Sequence, residues 1–131
     1  MGMEKIGVYL LVGLGSALGG MGRFWISIAI AERFGARFPW GTLVVNVSGS
    51  FAIGIFAALA GTEMKPPSRS SYFLTAGVCG GYTTFSAFSL QTLNLLRDGH
   101  WAWAGANVTL SILLCLLGTW AGFGVGQMIR R

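Results

Sequence analysis

The stretch Gly80-Gly81-Tyr82-Thr83-Thr84-Phe85-Ser86-Ala87-Phe88-Ser89 lies at the centre of a run, 70–96, that carries no charged residue. Paired glycines followed by β-branched threonines make a poor continuous helix, so this string predicts a local break in an otherwise apolar span. Non-helical backbone at membrane depth is tolerated only where it is buried in protein or lines a cavity, and there its freed carbonyls can coordinate a cation. Beyond the break, Phe85 and Phe88 are i,i+3 neighbours on one helix face. Spacing alone favours a core aromatic pair over a functional role.

Three further stretches resemble the first in length and apolarity: 41–61, 99–129, and 6–31, the last interrupted only by Arg23. A bilayer core needs about 20 predominantly apolar residues in helix. The chain therefore reads as an all-α membrane protein, one domain over residues 1–131, with four transmembrane helices and the third broken near its centre. Composition agrees, since 53% of residues are hydrophobic and 10% charged, where a soluble domain carries about a quarter charged. The connections at 32–40, 62–69 and 97–100 are short and polar. The first apolar run is long and lacks a convincing cleavage site, which predicts a retained helix rather than a signal peptide.

Several function classes are excluded by what the spans lack. Glu4, Glu32, Glu63 and Asp98 all sit at span ends or in connections, whereas a proton-coupled or cation exporter needs a carboxylate at membrane depth. The single histidine, His100, lies in a connection, and no nucleophile with a base partner can be assembled, so the chain is not an enzyme. The formal net charge is +5, but its basic residues are scattered rather than gathered on one face, which argues against nucleic acid as a partner. Cys79 and Cys115 both fall inside spans and support neither a disulfide framework nor a thiolate metal site.

The spans do contain uncharged polar groups. Asn46 carries the amide that is costliest to leave unpaired in hydrocarbon, and it needs a neighbouring helix or a wet cavity. Asn107, Ser111, Cys115 and Thr119 recur every four residues along one slowly drifting stripe, about 18 Å long at 1.5 Å per residue. A wet polar track accounts for that register better than four separate bonds to i−4 carbonyls. Small residues four apart, in Gly15-x-x-x-Gly19, Ser50-x-x-x-Gly54, Gly77-x-x-x-Gly81 and Gly118-x-x-x-Gly122-x-x-x-Gly126, predict close helix contacts. With four spans both termini share a side. Lys5, Lys65, Arg69, Arg130 and Arg131 lie there, against Arg33, Arg37 and Arg97 opposite, with Arg23 in the first span towards that end. So weak a bias suits insertion in both orientations or one orientation with a poor signal.

The string at 80–89, together with Gly41-Thr42-Leu-x-x-Asn46 and Gly19-x-x-x-Arg23, resembles the Fluc fluoride channels, also known as CrcB or camphor-resistance proteins, over essentially the whole chain. The resemblance implies a fluoride-selective channel of the cytoplasmic (inner) membrane that exports fluoride passively and confers fluoride resistance. It further implies a dual-topology antiparallel homodimer with two parallel pores and a structural sodium ion at the dimer interface. By position, Phe85 and Phe88 correspond to the pore phenylalanines and Asn46 to the pore asparagine. Thr84 joins that pathway, the stripe Asn107, Ser111, Cys115 and Thr119 corresponds to the fourth-helix track, and Arg23 to the arginine at the anion entrance. Carbonyls of Gly80 and Thr83, two from each subunit, correspond to the sodium ligands. Two departures stand out: Gln91 occupies a position where members often have glutamate, and the track has Asn107 and Cys115 in place of hydroxyl groups. The alternatives are a small coupled membrane exporter and a non-conducting membrane scaffold. Dual topology makes a direct prediction: with Cys79 and Cys115 replaced, a cysteine introduced into the 62–69 connection is labelled from both sides of the membrane. One-sided labelling of active protein refutes it.

Overall fold

The computed structural model describes residues 2–61 and 68–131, and all the regular secondary structure within them is helical. The first helix, α1 (Met3–Phe34), ends at Gly35, whose φ of 82° places it in the left-handed region that glycine adopts without a Cβ clash. Helix α2 (Trp40–Ala60) follows Pro39 and ends at Gly61, again at positive φ. The span predicted over 70–96 is assembled from shorter pieces: α3 (Arg69–Tyr72), a π-helical segment (Phe73–Cys79), α4 (Gly80–Tyr82) and α5 (Phe85–Arg97). The last helix is α6 (Trp101–Arg130). Three helices, Lys5–Phe34 of α1, α2 and α6, are each long and apolar enough to cross a membrane. Most of the 62–69 connection, with Glu63 and Lys65, lies outside the described residues.

Two close pairs organise the bundle. Helix α2 packs along α6, and α1 packs along the π-helical segment and α4. Both seams are made by glycines. Gly54 lies under the Thr119 carbonyl, Gly122 under the Phe51 carbonyl and Gly126 against Ile55. On the other seam Gly15 meets Phe73 and Gly77, Gly19 meets the Val78 carbonyl, and Gly81 meets Ser16. In lipid there is little hydrophobic drive between helices, so such close backbone approach, with the dispersion contacts it brings, is what holds them together. Contacts between α1 and α2, where Gly41 abuts Ser27, join the two pairs. Helix α5 packs mainly on α6.

Large apolar side chains point outward rather than inward. Leu10, Leu14, Phe24 and Trp25 on α1 and Leu113, Leu116, Leu117 and Trp120 on α6 are exposed, while the buried set is small: Leu43, Val45, Ala58, Cys79, Leu95 and Ala104. That inversion of the soluble pattern is what a lipid-facing surface requires.

The glycine pair at 80–81 does not itself depart from helix. Gly80 has φ −63° and ψ −39°, and the helix continues to Tyr82. Thr83 (φ −78°, ψ 157°) and Thr84 (φ −153°, ψ 116°) are the extended residues. The glycines are needed for approach: a side chain at position 81 would run into the Ser16 backbone. A Cβ at Gly122 would likewise strike the Phe51 carbonyl, whereas one at Gly13 meets nothing. Gly122→Ala is therefore expected to lower stability by about 1–3 kcal/mol and Gly13→Ala to leave it unchanged or slightly raised, measured as unfolding midpoints in detergent micelles.

Candidate functional site

The extended pair Thr83–Thr84 is held from α2. The Asn46 side chain meets the Thr84 backbone twice: the Thr84 N–H donates to Asn46 Oδ1 at 2.8 Å, and Asn46 Nδ2 donates to the Thr84 carbonyl at 3.0 Å. This reciprocal pairing fixes which end of the amide is oxygen, because one backbone group needs an acceptor and the other a donor. The Thr84 hydroxyl then caps α5, accepting from the Ala87 N–H at 3.2 Å. Thr84 is 8% exposed, so loss of the Asn46 amide would leave two enclosed backbone groups unpaired, at about 1–3 kcal/mol each.

These bonds have a consequence for the carbonyls before the interruption. In a continuous helix Gly80 O would accept from the Thr84 N–H and Thr83 O from the Ala87 N–H. Both amides are engaged elsewhere, which frees those two carbonyls from helical bonding. The Thr83 hydroxyl donates to the Cys79 carbonyl, and Tyr82 is tied to α2 through Ser48 at 3.0 Å.

A groove of about 470 Å³ opens beside the interruption. It brings together Asn46, Gly80, Thr83, Thr84, Phe85, Phe88, Ser111 and Cys115. The Phe85 and Phe88 rings have centroids 5.2 Å apart and planes tilted by 46°; Phe85 is 78% exposed and so makes little core contact within this chain. Ser111 is 7% exposed and its Oγ has no hydrogen-bond partner among the described residues. Ser111 lines the groove, and an enclosed hydroxyl without a partner beside it is a donor free for a ligand or water. No residue lining the groove carries an ionisable carboxyl or amine.

The four-residue stripe on α6 does not stay together. Asn107 is 1% exposed and its Nδ2 donates to Thr92 Oγ1 on α5 at 2.9 Å, which makes it a bridge between helices. Thr119 donates to the Cys115 carbonyl one turn back and backs onto Gly54 at the α2 seam. Only Ser111 and Cys115 line the groove, and Arg23 sits half-buried on α1 away from it. Gly49 and Ser50 line it from α2 as well, and the sequence signal for them is only their place one turn after Asn46. Gln91 holds its Oε1 buried without a partner among the described residues.

A family model described as "CrcB-like protein, Camphor Resistance (CrcB)" matches residues 10–123. The chain belongs to the CrcB-like family. Among its relatives, a protein of Paramagnetospirillum magneticum is 52% identical over 125 residues, covering 94% of this chain and 98% of that protein. One of Opitutus terrae is 56% identical over 117 residues, covering 88% and 89%, and one of Methylocella silvestris is 50% identical over 125 residues, covering 94% and 95%. All three bear the name "Fluoride-specific ion channel FluC".

Because the Ser111 hydroxyl has no partner among the described residues, Ser111→Ala removes an enclosed polar group with no bond to lose. The expected outcome is an unfolding midpoint equal to or above the parent's together with slower ion flux; a fall in stability with unchanged flux would return Ser111 to a packing role.

Proposed function

We propose that this chain is a fluoride-selective ion channel, passive and not an enzyme, that lets fluoride leave the cell down its gradient across the inner membrane. The observation that carries the reading is the groove, in which neutral hydrogen-bond donors and two phenylalanine rings meet with no carboxyl or amine among them. Fluoride is small and strongly hydrated, so its path must replace water with donors that are numerous but uncharged, or the ion would bind and stay. The second N–H of Asn46 Nδ2, not used on Thr84, and the Ser111 hydroxyl are of that kind. The positive edges of the Phe85 and Phe88 rings suit an anion between donors. The names borne by relatives at 50–56% identity support the same ion.

In this reading the chain crosses the membrane four times, with 69–97 as a third span broken at Thr83–Thr84, and pairs with a second, oppositely oriented copy. Exposure of Phe85, at the rim of an open groove, supports completion of the path by a partner surface. Asn107 and Thr119 would continue the pathway beyond the groove, and Arg23 would draw anions towards its mouth. The freed carbonyls of Gly80 and Thr83 suit a monovalent cation with oxygen ligands, and none of the described residues forms an acidic cluster for a divalent one. They would hold a sodium ion between the subunits, where it would neutralise the carbonyl dipoles.

The deciding experiment is fluoride efflux from liposomes with and without an imposed proton gradient. Efflux that follows the fluoride gradient alone is expected; dependence on the proton gradient would indicate a coupled exporter, and no efflux a scaffold. Phe85→Ile and Phe88→Ile should each reduce efflux by at least about tenfold, as expected for an ion contact worth about 1.4 kcal/mol.

A further inference from the structure

We infer that Asn46 is a positioning residue whose amide holds the Thr83–Thr84 interruption in register, so that its effect on ion passage runs chiefly through the backbone of Thr84. The inference rests on the channel reading above and assigns within it a task distinct from contacting the ion.

The geometry separates the two tasks. An amide that served only as a ligand would leave both N–H groups and its oxygen towards the groove. Asn46 instead commits its oxygen and one N–H to a single residue 38 positions away, at 2.8 and 3.0 Å. Those two bonds stand in for the helical partners that Thr84 has lost. They also hold Thr84 where its hydroxyl can accept from the Ala87 N–H and meet Ser86 Oγ at 3.2 Å. That cap starts α5, and the first residue of α5 is Phe85. The same pairing diverts the Thr84 amide from Gly80 O, and the cap it positions diverts the Ala87 amide from Thr83 O, so both carbonyls lose their helical donors through Asn46 as well. One side chain thus sets the placement of both the aromatic pair and the carbonyl pair. Packing supports the arm itself: Val45, beside Asn46, is fully buried, and Gly49, one turn on, fits against Thr83 and Tyr82 with no room for a side chain.

The test uses the full chain in detergent micelles for threonine-selective amide exchange and in liposomes for fluoride efflux. In the parent, the Thr84 amide should exchange slowly. In Asn46→Leu, Thr84 exchange should rise by about tenfold or more, as for an enclosed amide that has lost its acceptor, with fluoride efflux falling in step and assembly unchanged. Asn46→Gln retains the donor but moves it along a longer arm, so a ligand role predicts substantial efflux with slow Thr84 exchange, and the positioning role predicts loss of both. Asn46→Gln also carries the test if Asn46→Leu does not assemble. Reduced efflux with parental Thr84 exchange, or raised exchange with parental efflux, would overturn the inference. Absence of fluoride efflux from the parent chain would instead sink the channel reading, which this exchange comparison does not measure.

Discussion

Backbone polar groups in an apolar medium must find partners, and this constraint governs the molecule from Cys79 to Ala87. A helix satisfies it automatically; two extended residues do not. The chain answers with side chains. Asn46 supplies an acceptor and a donor to Thr84, and the Thr84 hydroxyl supplies an acceptor to Ala87. The same bonds leave the Gly80 and Thr83 carbonyls without their helical donors.

Such an arrangement demands that α2 stay at one fixed distance from the interruption. Glycine seams meet the demand in two places. On one side α2 is locked to α6 through Gly54, Gly122 and Gly126; on the other, α1 is locked to the π-helical segment and α4 through Gly15, Gly19 and Gly81. Ser48 and Tyr82 add a direct link between α2 and α4. Side chains that would cushion the seams are absent, so the helices meet backbone to backbone and have little freedom to slide.

The apolar spans were legible because lipid imposes a length and a composition that no other environment does, and the seams were legible because small residues recur every four positions. The position of the interruption was less so. Two glycines marked the neighbourhood, but propensity cannot tell a glycine that bends the chain from one that admits a neighbouring helix, and here Ser16 of α1 is the reason for Gly81. The π-helical turn, in which the Gly80 N–H reaches back to Thr75 O, left no compositional trace. On α6, register alone suggested a single track. Which of its members would be claimed by Thr92, by the helix's own carbonyl or by open space depended on long-range packing that periodicity does not encode.

The helices are of unequal length, and the bilayer must absorb the difference. At 1.5 Å per residue, the 21 residues of α2 extend about 32 Å, whereas the 32 residues of α1 extend about 48 Å and the 30 of α6 about 45 Å. Only α2 matches a hydrocarbon thickness of about 30 Å while standing upright. It is also the helix with the firmest stops, Pro39 before it and a positive-φ glycine after it. Its companions must lean or emerge into the headgroups to accommodate their surplus. Helix α2 is therefore the ruler of the structure, and because it also carries Asn46, a thinner or thicker membrane would be felt at the interruption as a change in tilt between the ruler and the helices that lean on it.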